Sequence, residues 1–257
     1  MVGAYNTWLV LLSIIVAIYV SYTALSLSAR VARAKDGSDR TGLWVAGGAL
    51  GMGCGIWSMH FIGMLAFSLP VPLQYDLGLT IASLVIAIAI SGFALSVATS
   101  PEITLVQLLF AALIMGAGIS AMHYSGMAAI DIVPMITYEP MLLTASIVIA
   151  IAASFAALWL FFKLREGDSL RMRLARIGAA FAMGFAISGM HYTGMAASRF
   201  GPKSFCTGGS SVNTGSLAVT TGIVAFVVLT ITTLFLVLDA RRATTHRKRV
   251  DRLNRAL

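Results

Sequence analysis

The stretch Met190-His191-Tyr192-Thr193-Gly194-Met195 closes a long apolar segment, and the chain writes the same cluster twice more. The other copies read Met122-His123-Tyr124-Ser125-Gly126-Met127 and Met59-His60-Phe61-Ile62-Gly63-Met64. A Met-Gly pair stands at one fixed distance upstream of each His: Met52-Gly53, Met115-Gly116 and Met183-Gly184. This is an internal repeat, and it holds three of the chain's four histidines.

The setting of the repeat is a membrane. Hydrophobic residues make up 58% of the chain and charged residues 11%, outside the usage of soluble domains. Seven apolar stretches are long enough to cross a bilayer, at 7–29, 42–69, 77–98, 104–130, 141–162, 174–197 and 217–238. No Asp, Glu, Lys or Arg falls deep inside them, whereas pumps and proton-coupled transporters keep ionisable groups at membrane depth.

Charge sets the orientation. Arg30, Arg33, Lys35 and Arg40 lie between stretches 1 and 2, and Lys163, Arg165, Arg171, Arg173 and Arg176 between 5 and 6. Seven more basic residues, from Arg241 to Arg255, follow stretch 7, and only Arg199 and Lys203 fall on the other side. The positive-inside rule then puts the N-terminus outside and the C-terminus in the cytoplasm. The net charge of +8 reports topology and contact with anionic lipid rather than nucleic-acid binding.

Stretches 2, 4 and 6 run in one direction, and each His lies near the outer end, roughly 10 Å inside it at about 1.5 Å per residue. The expected fold is an all-α integral membrane protein of seven transmembrane helices. Three parallel two-helix repeats (spans 2–3, 4–5 and 6–7) follow an extra first helix, around an axis along the membrane normal. Residues 1–238 form this module, and 239–257 form a basic cytoplasmic juxtamembrane tail in which Val250, Leu253 and Leu257 keep helical spacing.

Three histidines at one depth, flanked by methionine, propose a metal centre, because imidazole and thioether are neutral ligands suited to copper. At about 100° per residue, Met64, Met127 and Met195 share the face of His60, His123 and His191, and Met59, Met122 and Met190 flank it. Gly63, Gly126 and Gly194 lie on the same stripe and let a neighbouring backbone approach. One Met-rich helix face reads as packing, but packing needs no His, and an ionisable residue in a membrane is a functional hypothesis by default. Tyr124 and Tyr192 stand where the first copy has Phe61, so their hydroxyls serve either as donors around the metal ligands or as interfacial aromatics. An opening toward the outer face, covered by loop 198–216, is expected because the inner halves of these helices offer no comparable polar path.

With its variants at Met122–Ser125 and Met59–Ile62, the tetrad Met190–Thr193 resembles the signature of the MHYT domain family, bacterial integral-membrane sensor domains. The resemblance covers nearly the whole chain. It implies a bacterial inner-membrane module that binds one or two copper ions through these Met and His residues, with Tyr124 and Tyr192 as further cofactor contacts. It further implies detection of a diatomic gas (O2, NO or CO) and signalling to a cytoplasmic output domain of the cyclic di-GMP type. The first copy departs from the signature at Phe61 and Ile62.

Two rival readings use the same residues: a b-type haem held by two of the histidines, and a copper channel or transporter with deeper Met steps. Cys54 and Cys206 read as a packing thiol and a loop thiol, His246 belongs with the basic tail, and that tail offers a possible homodimer contact. No nucleophile elbow, phosphate loop or paired carboxylates appear, so the chain reads as a non-enzyme.

Overall fold

The computed structural model describes residues 3–33, 40–165, 169–202, 204–206 and 211–254. Lys35, Lys203, Arg255, Leu257 and residues 207–210 of the expected cover loop lie outside the described residues. Seven helices dominate: α1 (Thr7–Arg33), α2 (Arg40–Leu65), α3 (Leu77–Ala98), α4 (Leu105–Ala128), α5 (Pro140–Leu164), α6 (Leu170–Ala197) and α7 (Thr214–Asn254). Six of them are long and apolar enough to cross a membrane. The exception is α6, which begins with Arg171, Arg173 and Arg176 and ends in the polar motif residues Ser188, His191 and Thr193. Arg176 is buried, its Nε and Nη2 donating to Leu164 O at 3.0 and 2.8 Å at the end of α5.

Helices α1 to α6 close into a ring in chain order, α6 packing back on α1, and α7 lies outside it against α2. Here the sequence expectation is corrected. It paired span 6 with span 7 and left span 1 over, but α1 fills the third return-helix place and α7 is the extra helix. Three equivalent glycines show this. A Cβ on Gly53 would strike the backbone of Ile88 in α3, one on Gly116 that of Ile151 in α5, and one on Gly184 that of Ile18 in α1. These close approaches give a pseudo-threefold arrangement, with α2, α4 and α6 alternating with α3, α5 and α1.

Six short strands, β1 (Ala4–Tyr5), β2 (Phe67–Ser68), β3 (Gln74–Asp76), β4 (Thr137–Tyr138), β5 (Ser198–Arg199) and β6 (Ser211–Asn213), tie one end of the ring. β1 pairs with β2, β4 with β5 and β3 with β6, all antiparallel, and Tyr75 bridges to Ile130. The backbone N–H groups of Asn6, Asp76 and Glu139 donate to Ala66 O, Ala129 O and Ala197 O at 2.8, 2.6 and 2.8 Å. Each of these residues also caps the helix it precedes: Asn6 Oδ1 accepts from Trp8 and Leu9, Asp76 from Leu79, and Glu139 from Met141 and Leu142. The side chain that starts a return helix therefore sits where a motif helix stops, and this fixes the height of the motif helices.

At its other end, α7 continues as helix through the expected boundary at residue 238 to Asn254.

Candidate metal centre

His60, His123 and His191 meet on the pseudo-threefold axis. Nδ1 of His60 lies 3.1 Å from Nδ1 of His191 and 3.2 Å from Nδ1 of His123. The rings stand edge to face, with centroids 4.9, 5.0 and 5.2 Å apart, and each residue is at most 2% exposed. One ligand atom from each lies within 4.8 Å of the others, a cluster that could hold a metal ion. Ligand nitrogens about 2.0 Å from a tetrahedral ion stand about 3.3 Å apart, so the Nδ1 spacing matches the edge of such a site.

Glycine creates the room. A Cβ on Gly126 would collide with Nε2 of His60, one on Gly194 with Nε2 of His123, and one on Gly63 with Nε2 of His191. Each imidazole thus fills the notch of the next motif helix around the ring, which turns its Nδ1 toward the axis. The three Nε2 atoms are buried without a hydrogen-bond partner. Among the described residues the Nδ1 atoms have only one another as partners, and three buried imidazoles whose nitrogens converge on one point are the donor set that a cation on the axis would take up.

Among the other expected residues, Met64, Met127 and Met195 share one buried cluster with Phe61, Tyr75 and Leu73, at the β-strand end of the triad. The preceding methionines part company. Met122 joins that cluster, Met59 packs with Val16, Ala17 and Val20, and Met190 lies in the large core of α1 to α6. The rings of Tyr124 and Tyr192 pack edge-on against their own His, with centroids 4.8 and 4.7 Å apart. Their hydroxyls bond Ser146 Oγ at 2.5 Å and Ser13 Oγ at 2.6 Å on the adjoining return helices. Cys54 and Cys206 are both free, the latter donating its S–H to Pro72 O at 3.0 Å.

One layer escaped the sequence reading. Ile56, Ile119 and Ile187, one turn from each His, line a cavity of about 50 Å³ together with Met52, Met115 and Met183. Its lining is apolar apart from Ser21 and Ser154, and it lies on the side of the triad away from the strands. Superposing the three repeats in sequence would have found it, because the same residue type recurs four places before every His. Where an opening was expected, Met64, Met127 and Met195, each at most 3% exposed, lie over the strand side of the triad.

A b-type haem needs its axial imidazoles on opposite faces of a macrocycle. Nδ1 atoms 3.1 and 3.2 Å apart leave no gap for that plane, so the haem reading does not fit.

These features define a class: a multi-pass helical membrane module built from threefold repeats around a buried histidine centre. The family pattern MHYT, described as a bacterial signalling protein N-terminal repeat, matches residues 53–111, 116–175 and 184–248. The chain belongs to this family. It is 51% identical over 94% of its length to the bifunctional diguanylate cyclase/cyclic di-GMP phosphodiesterase MucR of Pseudomonas aeruginosa, covering 35% of that protein. It is 43% identical over 76% of its length to the signalling protein YkoW of Bacillus subtilis, and 42% over 75% to the cyclic di-GMP phosphodiesterase NbdA of Pseudomonas aeruginosa, covering 24% of each. The chain therefore spans about a third or less of the length of these relatives. No solved structure matches it.

Proposed function

We propose that this chain is the sensory module of a cyclic di-GMP signalling system in a bacterial inner membrane, with copper held by His60, His123 and His191. The observation that carries the reading is the convergence of three buried imidazoles, with Nδ1 of His60 at 3.1 and 3.2 Å from those of His191 and His123 and one ligand atom of each within 4.8 Å of the others. Met64, Met127 and Met195, buried together in one cluster four residues past each His, are the thioethers we assign to the ligand set, and soft sulfur favours Cu(I) among the ions imidazole binds. When bound, copper supplies a coordination position for a diatomic gas and a change of redox state. The protein's own residues exclude water, hold the imidazoles in register through the glycine notches and link each motif helix to its neighbour.

Seven spans, an outside N-terminus and a cytoplasmic C-terminus complete the proposal. The level of His191 with His60 and His123 supports α6 as a span beside the six more apolar helices. The signal leaves through α7, which touches the ring mainly at α2, a motif helix, and continues as helix past the apolar stretch. The output module is of the kind named in the relatives, a diguanylate cyclase or cyclic di-GMP phosphodiesterase.

The test is elemental analysis beside the visible spectrum of protein purified from copper-supplemented cells. One or two copper ions per chain and no Soret band are expected; metal-free protein or a Soret band would refute the reading. A second reading, copper transfer across the membrane, is favoured by one observation: Met52, Met115 and Met183 line a common cavity on the far side of the triad. Copper flux into proteoliposomes would select it.

A further inference from the structure

Because α7 stands outside the ring, it leaves a cleft on the flank of the bundle between itself, α1 and α2. The cleft measures about 220 Å³ and is lined by Leu27, Trp44, Gly47, Gly51, Met52 and Thr232 among others. Two of these positions carry no side chain where one would fit. A Cβ on Gly47 meets nothing within 4 Å, and one on Gly51 meets only Thr232 Cγ2 at 3.7 Å. Gly47 is exposed on a helix apolar enough to cross a membrane, so the mouth of the cleft faces acyl chains rather than water.

The cleft and the axial cavity under the histidines share one wall, the side chain of Met52. Met52 is 4% exposed and unbranched, and a thioether chain with three rotatable bonds can swing aside without displacing its helix. On the axial side the cavity ends at Ile56, Ile119 and Ile187, one turn from the triad. Apart from Ser154 and from Ser21, whose hydroxyl is donated to Ala17 O at 2.8 Å, the lining is apolar; such cavities take small apolar guests such as xenon, and about 50 Å³ exceeds the roughly 10–15 Å³ needed for one water-sized molecule. The opposite approach to the triad is closed by buried Met64, Met127 and Met195.

We propose that the cleft and the cavity form a lateral route by which a small apolar molecule of dioxygen's size passes from the bilayer interior to the space beneath the histidines, with Met52 as the gate. The identity of the occupant rests on the gas-sensing reading above; the route itself needs no metal.

Timed xenon pressurisation of crystals of the whole chain tests the route, on wild type, Gly51→Leu and Gly47→Leu. Wild type should bind xenon in both the cleft and the axial cavity. The leucine variants, whose side chains occupy open space, should lose the cleft xenon and fill the axial cavity only on long exposure. An axial cavity empty of xenon in wild type at every pressure overturns the proposal, as does equally fast filling in both variants. Xenon in both sites of wild type that retains no copper after purification from copper-supplemented cells would sink the sensor reading and leave the route standing; copper-loaded protein that takes up no xenon would do the reverse.

Discussion

Trp57 donates its indole N–H to Ser83 Oγ across 3.2 Å, in the place that a tyrosine hydroxyl fills in the other two copies of the repeat. Ser13, Ser83 and Ser146 are equivalent and fully buried, and each gives its own hydrogen to the carbonyl three residues back, at 2.7 Å. Each therefore needs a donor from the motif helix, supplied by Tyr192, Trp57 and Tyr124 respectively. Where the other copies carry Ser120 with Tyr124 and Ser188 with Tyr192, the first carries Trp57 with Phe61. The Phe61 departure is thus half of a coupled exchange.

That coupling is measurable. Trp57→Ser alone leaves a cavity and should cost about 3 kcal/mol or more. Phe61→Tyr alone forces a hydroxyl beside an indole 4.7 Å from the Phe61 ring and should cost about 1–3 kcal/mol. The double variant rebuilds the arrangement of the other copies, so its loss should fall short of the sum by roughly 0.5–3 kcal/mol. Thermal unfolding in one detergent gives the cycle; simple additivity would show that the two sites are independent.

Replacing His123 with Ala removes one of the three converging nitrogens, and copper per chain should drop to near zero while the helical content is kept. Met127→Leu conserves volume, a swap that normally costs under about 1.5 kcal/mol. A fall in copper affinity there reports the thioether itself. Wild-type copper content in both variants would assign the clusters to packing.

The glycine notches make a sharper test, because they touch no proposed ligand atom on their own helix. Gly126→Ala places a methyl on Nε2 of His60, and Gly194→Ala and Gly63→Ala do the same to His123 and His191. Each should weaken copper binding by about 10–100-fold, the usual cost of disturbing the support of a ligand. Titration with a competing chelator reads this directly. Three variants that bind as wild type does would mean the notches do not aim the rings.

At the strand end, Glu139 caps α5, accepting the N–H of Leu142 at 2.9 Å and of Met141 at 3.1 Å. These two bonds, Leu142 first, hold its carboxyl below the usual range, and Arg199 adds to the effect against a small opposing desolvation. A depressed folded pKa stabilises above the unfolded pKa, and that contribution is lost as pH falls through the folded value. Glu139→Gln should therefore melt below wild type at pH 7, and the two melting temperatures should converge in acid. A gap that persists under acid conditions would show that charge is not its source.

The sequence by itself determined the helices, the repeat and the shared level of the three histidines. Apolar length, helical spacing and capping residues act within one segment, and each is written locally. The order of the ring emerged from tertiary packing, because hydrophobic periodicity names the face a helix buries and leaves open which neighbour it meets; the residues that select α1 are written in the chain, but their partners are named only by the packed ring. Two helices competed for one place. Seven, twelve and fifteen residues past its cap, α1 carries Ser13, Ile18 and Ser21, as α3 carries Ser83, Ile88 and Ser91 and α5 carries Ser146, Ile151 and Ser154; α7 carries Thr220, Ala225 and Val228. The set that receives the motif-helix donor and packs on the motif-helix glycine is thus present in α1 and missing from α7. Likewise, the common level of the histidines along their helices was legible, but the cyclic packing of each ring into the next helix's glycine was not, since it depends on which helices become neighbours when the ring closes.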